Sequence, residues 1–247
     1  MEALGIIFHD VLYQPLFNAL VIFYVLLPFH DLGITIILFT IFIRILLLPL
    51  SFRATRSQQQ LAALQPRIKA LQEQFKNNKE RQMRETMALY REHKVNPVGG
   101  CLPLLLQLPA LFVLYRIFLT GLAPDSFREL YSFVPPPSFV QHTLLGFIDL
   151  AKPNIILAAL AGLSQFWLSK LMTAQQSMPA AGGEFGKVLS WQTTYFFPLF
   201  TVGLGLTFPA GLTTYWIATT LFSLGQQYVI GKITASPSSK TSLAQRP

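Results

Sequence analysis

Residues 33–50 read GITIILFTIFIRILLLPL, an apolar run of bilayer length that carries a single charge, Arg44. Because an α-helix rises 1.5 Å per residue, a run of this length nearly covers a hydrocarbon core about 30 Å thick. A guanidinium at that depth costs at least about 2.5 kcal/mol, and the chain's other long apolar segments contain no Asp or Glu to pair with it. We therefore expect Arg44 to face water or a polar cavity, and its counter-charge to arrive with a substrate.

The composition predicts an all-α polytopic membrane protein. Of the 247 residues, 52% are hydrophobic and 12% charged, and the mean hydropathy is +0.45, which excludes an ordinary soluble domain. A shorter apolar run, residues 16–27, ends before Pro28 and predicts a helix lying in the membrane interface, with a full sixth span as the alternative. Five transmembrane helices are predicted at residues 33–50, 98–119, 155–171, 191–207 and 212–230.

The distribution of Lys and Arg predicts the orientation of these spans. Residues 1–32 contain neither, whereas residues 53–94 contain ten. Since Lys and Arg accumulate on the cytoplasmic side, residues 53–94 should lie inside the cell. The external N-terminal segment is then residues 1–32, and the short tail at residues 232–247 is cytoplasmic. The first residues also lack the basic region and cleavage site of a secretory signal.

Within the cytoplasmic segment, residues 53–95 show the pattern of a helical hairpin. Apolar residues recur at spacings of three and four on both sides of a polar turn at residues 76–79. The hairpin's basic surface suits anionic headgroups or ribosomal RNA, although a solvated hairpin that only enforces topology explains the same charges. Pro66 should either kink the first helix or mark its first turn. The residues of the apolar pattern are Leu61, Leu64, Ile68, Leu71 and Phe75, then Met83, Met87 and Tyr90.

Helix geometry places several polar residues near one another. Arg44 and Gln107 should lie about 9 and 13 Å from the cytoplasmic ends of their spans, and could share a cavity. Thr40, one turn before Arg44, falls on nearly the same helix face. Arg116 should point away from Gln107 and extend toward the outer headgroups. For the other polar residues in the spans, interhelical hydrogen bonds are the expected role.

The most specific motif is residues 94–109, KVNPVGGCLPLLLQLP. Together with FIR at 42–44, LQPRI at 64–68 and FPAGL at 208–212, it resembles the signature of the YidC family of membrane-protein insertases. The resemblance extends over residues 10–231, and the motif at residues 215–217, YWI, belongs to it. It differs from the best-known relatives because no large folded domain precedes the first span.

This resemblance implies a fold and a function. The fold would be a five-span core at residues 33–231 around a hydrophilic groove, open to the cytoplasm and at one side to lipid, but closed to the outside. The protein would be a non-enzymatic insertase and chaperone of the bacterial plasma membrane, working as a monomer on nascent membrane proteins, without a cofactor, a metal or specific DNA binding. The Sec translocon, the ribosome and membrane lipids are the further implied partners. The groove residues are Arg44, Gln107, Thr40 and, by the resemblance, Trp216.

Two other functions suit some of the same features. A small transporter or channel could use Arg44 to bind an anion, although the spans lack the acidic or histidine chain of a proton relay. A chaperone that helps other membrane proteins fold beside the Sec translocon overlaps with the insertase. Insertion of a client into liposomes by the pure protein separates the insertase from the transporter.

Overall fold

In the computed structural model, the residues described are 9–95, 107, 110–117, 124–175 and 191–235, and most of them are helical. Residues 110–117 are helical as well. One two-stranded antiparallel sheet lies within residues 143–149. The predicted helical class is confirmed, while the small sheet was not expected. The elements are α1 (Gln14–Leu26), α2 (Leu32–Leu46), α3 (Leu48–Gln74), α4 (Lys79–Glu92), β1 (Thr143–Leu144), β2 (Ile148–Asp149), α5 (Ile155–Gln175), α6 (Phe197–Thr207) and α7 (Ala210–Ala235).

The helix at the first predicted span is shorter than the apolar run at residues 33–50. Helix α2 ends at Leu46, and the chain then bends by 65° into α3. Pro49 lies in the first turn of α3, where the missing N–H and fixed φ of proline suit a new helix but not the interior of a continuing one. The prediction of one helix over residues 33–50 was therefore wrong at its last residues.

Two described helices are long and apolar enough to cross a membrane, His9–Leu26 and Ile155–Thr173, and the bent pair α2 and α3 provides a third if it counts as one span. Helix α7 is longer than its predicted span, but it includes Gln226, Gln227 and several threonines, which lower its hydropathy. Most of residues 98–119 lies outside the described part of the chain. The count of five spans stays a prediction.

Helix α1 is continuous with a π-helical turn, His9–Tyr13, and is thus longer than the run at residues 16–27 predicts. The loop that precedes α5 runs beside it: the amide of Asn18 donates to Glu129 O at 3.1 Å, and Tyr131 N donates to Asn18 Oδ1 at 2.7 Å. Near its other end, Gln141 N donates to Tyr24 Oη at 2.9 Å. Together with the π-helical turn, α1 is long and apolar enough for the alternative prediction of a full span.

Three chain segments meet at one end of the helices. Leu32 N donates to Gln141 O, which joins the turn before α2 to the loop. The N–H groups of Ala210 and Gly211 donate to Lys152 O and Leu150 O, each at 3.0 Å, and join the turn before α7 to the same loop. Residues 27–31, 139–152 and 208–211 therefore lie on the same side of the helices.

Helices α3 and α4 fold back on each other through a small apolar core. Leu61, Leu64 and Ile68 of α3 pack with Leu89 and Tyr90 of α4, and burial raises the pKa of Tyr90. Pro66 lies inside α3 and not in its first turn.

The apolar face of α4 differs from the prediction. Met83 and Met87 were expected to pack within the hairpin, but both are exposed. Leu89, which follows Met87 by two residues, is buried in their place. Of the expected apolar face of α4, only Tyr90 is therefore buried, and it packs with Leu89 in the hairpin core.

Helices α5 and α6 approach closely through small residues. Ala158 and Ala161 of α5 are fully buried, and a Cβ built on Gly205 of α6 would lie 2.9 Å from Ala158 Cα. Small residues allow such backbone approach, which is the common way for helices to associate in a membrane.

Candidate functional site

Three polar side chains from separate segments form a hydrogen-bonded chain inside the helical core. Arg44, in the last turn of α2, donates from Nη2 to Gln107 Oε1 at 2.6 Å. Gln107 in turn donates from Nε2 to Tyr215 Oη of α7 at 2.7 Å. The contact between Arg44 and Gln107 accords with the depths that helix rise assigns to them.

Among the described residues, Arg44 has a neutral hydrogen-bond partner and no charged one. Within the described part of the chain, no carboxylate oxygen lies within 4 Å of its guanidinium. A guanidinium has five N–H donors, and the hydrogen bond to Gln107 uses one of them. The geometry thus fixes the position of the cation and leaves donors for water or an arriving anion.

A recess lies beside Arg44. Its cavity volume is about 30 Å³, which is room for about two water molecules. Its polar lining consists of Thr40, Arg44 and Tyr215, and the rest is apolar, from α1, α2 and residues 110–117. The recess shows how water could reach the charge, but it is smaller and less polar than a groove for a polypeptide.

Thr40 lines this recess on the same face of α2 as Arg44. It is buried, and its hydroxyl donates to Ile36 O at 2.6 Å. Such a bond to the preceding turn satisfies the hydroxyl proton within the helix. Thr40 can therefore offer its oxygen as an acceptor to water but contributes no free donor.

Trp216 is not brought to Arg44. It lines a second, smaller recess of about 10 Å³ between α5, α6 and α7, with Thr201 and Thr213 among its neighbours. Tyr215, which was not a predicted site residue, takes the place beside Gln107. Consecutive residues of a helix point about 100° apart, so only one of the pair can face α2. The only sequence signal for Tyr215 was its position in the YWI motif.

Arg116 makes a contact that the sequence does not predict. Its guanidinium carbon lies 4.9 Å from the centre of the Tyr13 ring, at the start of the first helical segment. Stacking on an aromatic face is a common arrangement for arginine. Its extension to the outer headgroups stays a prediction.

Comparison with known proteins identifies the family of this chain. The profile of the 60Kd inner membrane protein family matches residues 23–237. This chain belongs to that family. Several similar proteins are named membrane protein insertase YidC. The resemblance found in the sequence motifs is therefore confirmed. Membership, with the apolar helices, makes the chain a multi-pass protein of the bacterial inner membrane.

The family members differ in length. The insertase of Fusobacterium nucleatum is 34% identical over 200 residues, which are 81% of this chain and 86% of that protein. The insertase of Clostridium perfringens is 37% identical over 197 residues, 80% of this chain and 77% of that protein. The Helicobacter pylori protein (strain 26695) is 36% identical over 201 residues, and these are 33% of its length.

Proposed function

We propose that this protein is a membrane-protein insertase and chaperone in which Arg44 receives a polar or acidic segment of a client on its way across the membrane. The observation that carries the proposal is the hydrogen-bonded chain from Arg44 through Gln107 to Tyr215, because it holds a cation within the helices without a counter-ion among the described residues. The names of the relatives support the insertase role.

The physical role of the site is to lower the barrier for polar atoms. A charged or polar segment is costly to place in hydrocarbon. Water in the recess and the N–H donors of Arg44 compensate part of that cost halfway across. The client's apolar segment then leaves into lipid, and its burial supplies about 25 cal/mol for each Å² of apolar surface. No nucleotide, metal or covalent step is needed.

Admission of a polypeptide requires the recess to widen into a groove. We propose that the groove opens toward the cytoplasm, where the basic hairpin of α3 and α4 lies and receives clients. The N-terminus is then external and the C-terminus internal. Nascent chains, lipids, the Sec translocon and the ribosome are the proposed partners of a protein that works as a monomer.

The test is insertion by the pure protein in liposomes. Two single-span clients are compared that differ only in the translocated tail, one acidic and one neutral. Arg44→Ala should reduce insertion of the acidic-tailed client more than insertion of the neutral one, because only the former uses the positive charge. Arg44→Lys should retain much of the activity, since it keeps the charge but loses the planar fork.

Two results would contradict the proposal. Equal loss for both clients on Arg44→Ala would argue against electrostatic capture, provided that the variant unfolds at the same temperature as the wild type. A second experiment places a photo-crosslinker at position 44, 107 or 216 and measures crosslinks to a stalled nascent chain. Absence of client crosslinks at 44 and 107 would mean that the recess never admits one.

The second candidate, an anion transporter or channel, uses the same cation. Flux of a small anion through liposomes that contain the pure protein, with no insertion of either client, would favour it. The named relatives of the chain are insertases. The insertase is therefore preferred.

A further inference from the structure

The external loop is an unusual stretch for a segment in water. Between Glu129 and Asp149 it contains no Lys, Arg, Asp or Glu. Four of its large apolar side chains are strongly exposed, Phe133 at 73%, Phe139 at 75%, Leu145 at 61% and Phe147 at 73%. Clustered exposed apolar side chains usually mark a contact with another phase or molecule.

At the tip of this loop, the backbone conformation is unfavourable for one of these side chains, Leu145. The tip joins β1 to β2, and Leu145 has φ of +55°, followed by Gly146 with φ of +81°. Glycine adopts this left-handed region freely, but a bulky side chain rarely does. Strain of this kind is typical of functional positions, and an exposed leucine there gains nothing from packing within the protein.

The loop tip is fixed to the end of α1 and the start of α2. Gly146 N lies 3.3 Å from Asp31 Oδ2, and Tyr24 Oη donates to Phe139 O at 3.3 Å. Phe29, in the turn between these two helices, is 71% exposed. Phe29, Phe139, Leu145 and Phe147 together are called the loop patch below.

The loop patch adjoins the last turn of α1. Leu26 in that turn is exposed, and in a multi-pass membrane protein an exposed apolar side chain at a helix end lies where acyl chains meet headgroups. Aromatic residues are enriched where a membrane protein passes the headgroup region. Asp31, the one acidic residue in the turn before α2, is buried and caps that helix through Ile34 N at 2.9 Å. It therefore adds no exposed charge to the patch.

We propose that the loop patch inserts into the headgroup and acyl boundary of the membrane, so that this part of the loop lies on the bilayer and does not extend into water. The occupant of the patch is lipid. Insertion of about 5–10 Å is the usual depth for peripheral apolar faces. The inference depends on the chain being a membrane protein and not on the function of Arg44.

The test measures membrane depth at the loop tip in the full chain. Phe147→Cys is made in a Cys101→Ser background, labelled with a nitroxide and reconstituted into phosphatidylethanolamine and phosphatidylglycerol vesicles. Collision of the label with oxygen, which concentrates in lipid, is compared with collision with a water-soluble nickel chelate. The label at 147 should collide more with oxygen and be largely protected from nickel.

The matched control is Lys152→Cys, an exposed position on the same loop beyond the charged residue Asp149. Its label should collide freely with nickel. Equal nickel access at 147 and 152 would overturn the proposal. So would a label at 147 that is exposed to nickel in the pure vesicles but protected in native membranes, since the patch would then bind a protein partner. Leu145→Cys gives a second measurement if Phe147→Cys fails to fold.

Discussion

Gln107 holds the Arg44 guanidinium in place without adding a charge to the site. Its amide oxygen accepts from Arg44 and its amide nitrogen donates to Tyr215, so it orients the guanidinium without neutralising it. An amide is suited to this task because it has both an acceptor and donors. A carboxylate in its place would be a permanent counter-ion.

Gln107→Glu is therefore expected to impair capture while keeping the geometry. At about 4 Å, an ion pair near a protein surface is worth about 4 kcal/mol at an effective dielectric constant of 20, and a client's carboxylate would have to compete with it. Insertion of the acidic-tailed client should fall while the neutral-tailed client is inserted at nearly the wild-type rate. The comparison is made by proteoliposome insertion.

Tyr215→Phe is the matched control at the far end of the hydrogen-bonded chain. It removes the hydroxyl that accepts from Gln107 but adds no charge. A modest loss of stability, about 1–3 kcal/mol for an unsatisfied buried donor, is expected without discrimination between clients. Selective loss of the acidic-tailed client here, or unchanged insertion in Gln107→Glu, would contradict the role given to Arg44.

Among the elements, α5 and α6 show how small residues determine helix packing. Gly205→Ala would place Cβ 2.9 Å from two carbon atoms of Ala158, one of them backbone. We expect a loss of about 1–3 kcal/mol, the usual cost of overpacking, measured as a lower midpoint in thermal or detergent unfolding.

Gly203→Ala on the same helix is the control for that loss. A Cβ at Gly203 would meet no atom within 4 Å, and alanine favours the helix over glycine by about 1 kcal/mol. Gly203→Ala should therefore leave the midpoint unchanged or raise it slightly. A similar fall in both variants would mean that helix packing is not the cause.

The hairpin of α3 and α4 depends on few contacts. Ile68 is fully buried in its small core, so Ile68→Ala should cost about 2–5 kcal/mol and separate the two helices. A spin-label distance between them should broaden, while Met83→Ala, at an exposed position of α4, should leave it unchanged. A loss of client insertion in Ile68→Ala alone would assign the receiving role to the folded hairpin.

At the scale of the whole molecule, the hydrogen bonds that join residues 27–31, 139–152 and 208–211 predict a common side for them. In a Cys101→Ser background, a cysteine at Lys152 should react with a membrane-impermeant maleimide added to intact cells. A cysteine at Lys79, in the hairpin, should react only after the membrane is opened. Reaction of Lys79→Cys in intact cells would reverse the proposed orientation.

The sequence by itself determined the helical class, the family and the presence of an arginine in an apolar run, with no Asp or Glu in the other long apolar segments. These follow from composition and from ordered motifs, which are local properties of the chain. It also placed Arg44 and Gln107 at similar depths, since helix rise is constant.

Only the tertiary structure decided which side chains meet. It selected Tyr215 over Trp216 as the partner of Gln107, because rotation of α7 about its axis depends on its packing against α2 and α5, which no local pattern encodes. It ended α2 at Leu46 and exposed Met83 and Met87, since the bend and the crossing of the hairpin determine which face is covered. Periodicity predicts that a helix has an apolar face, but the neighbouring elements determine whether that face is buried.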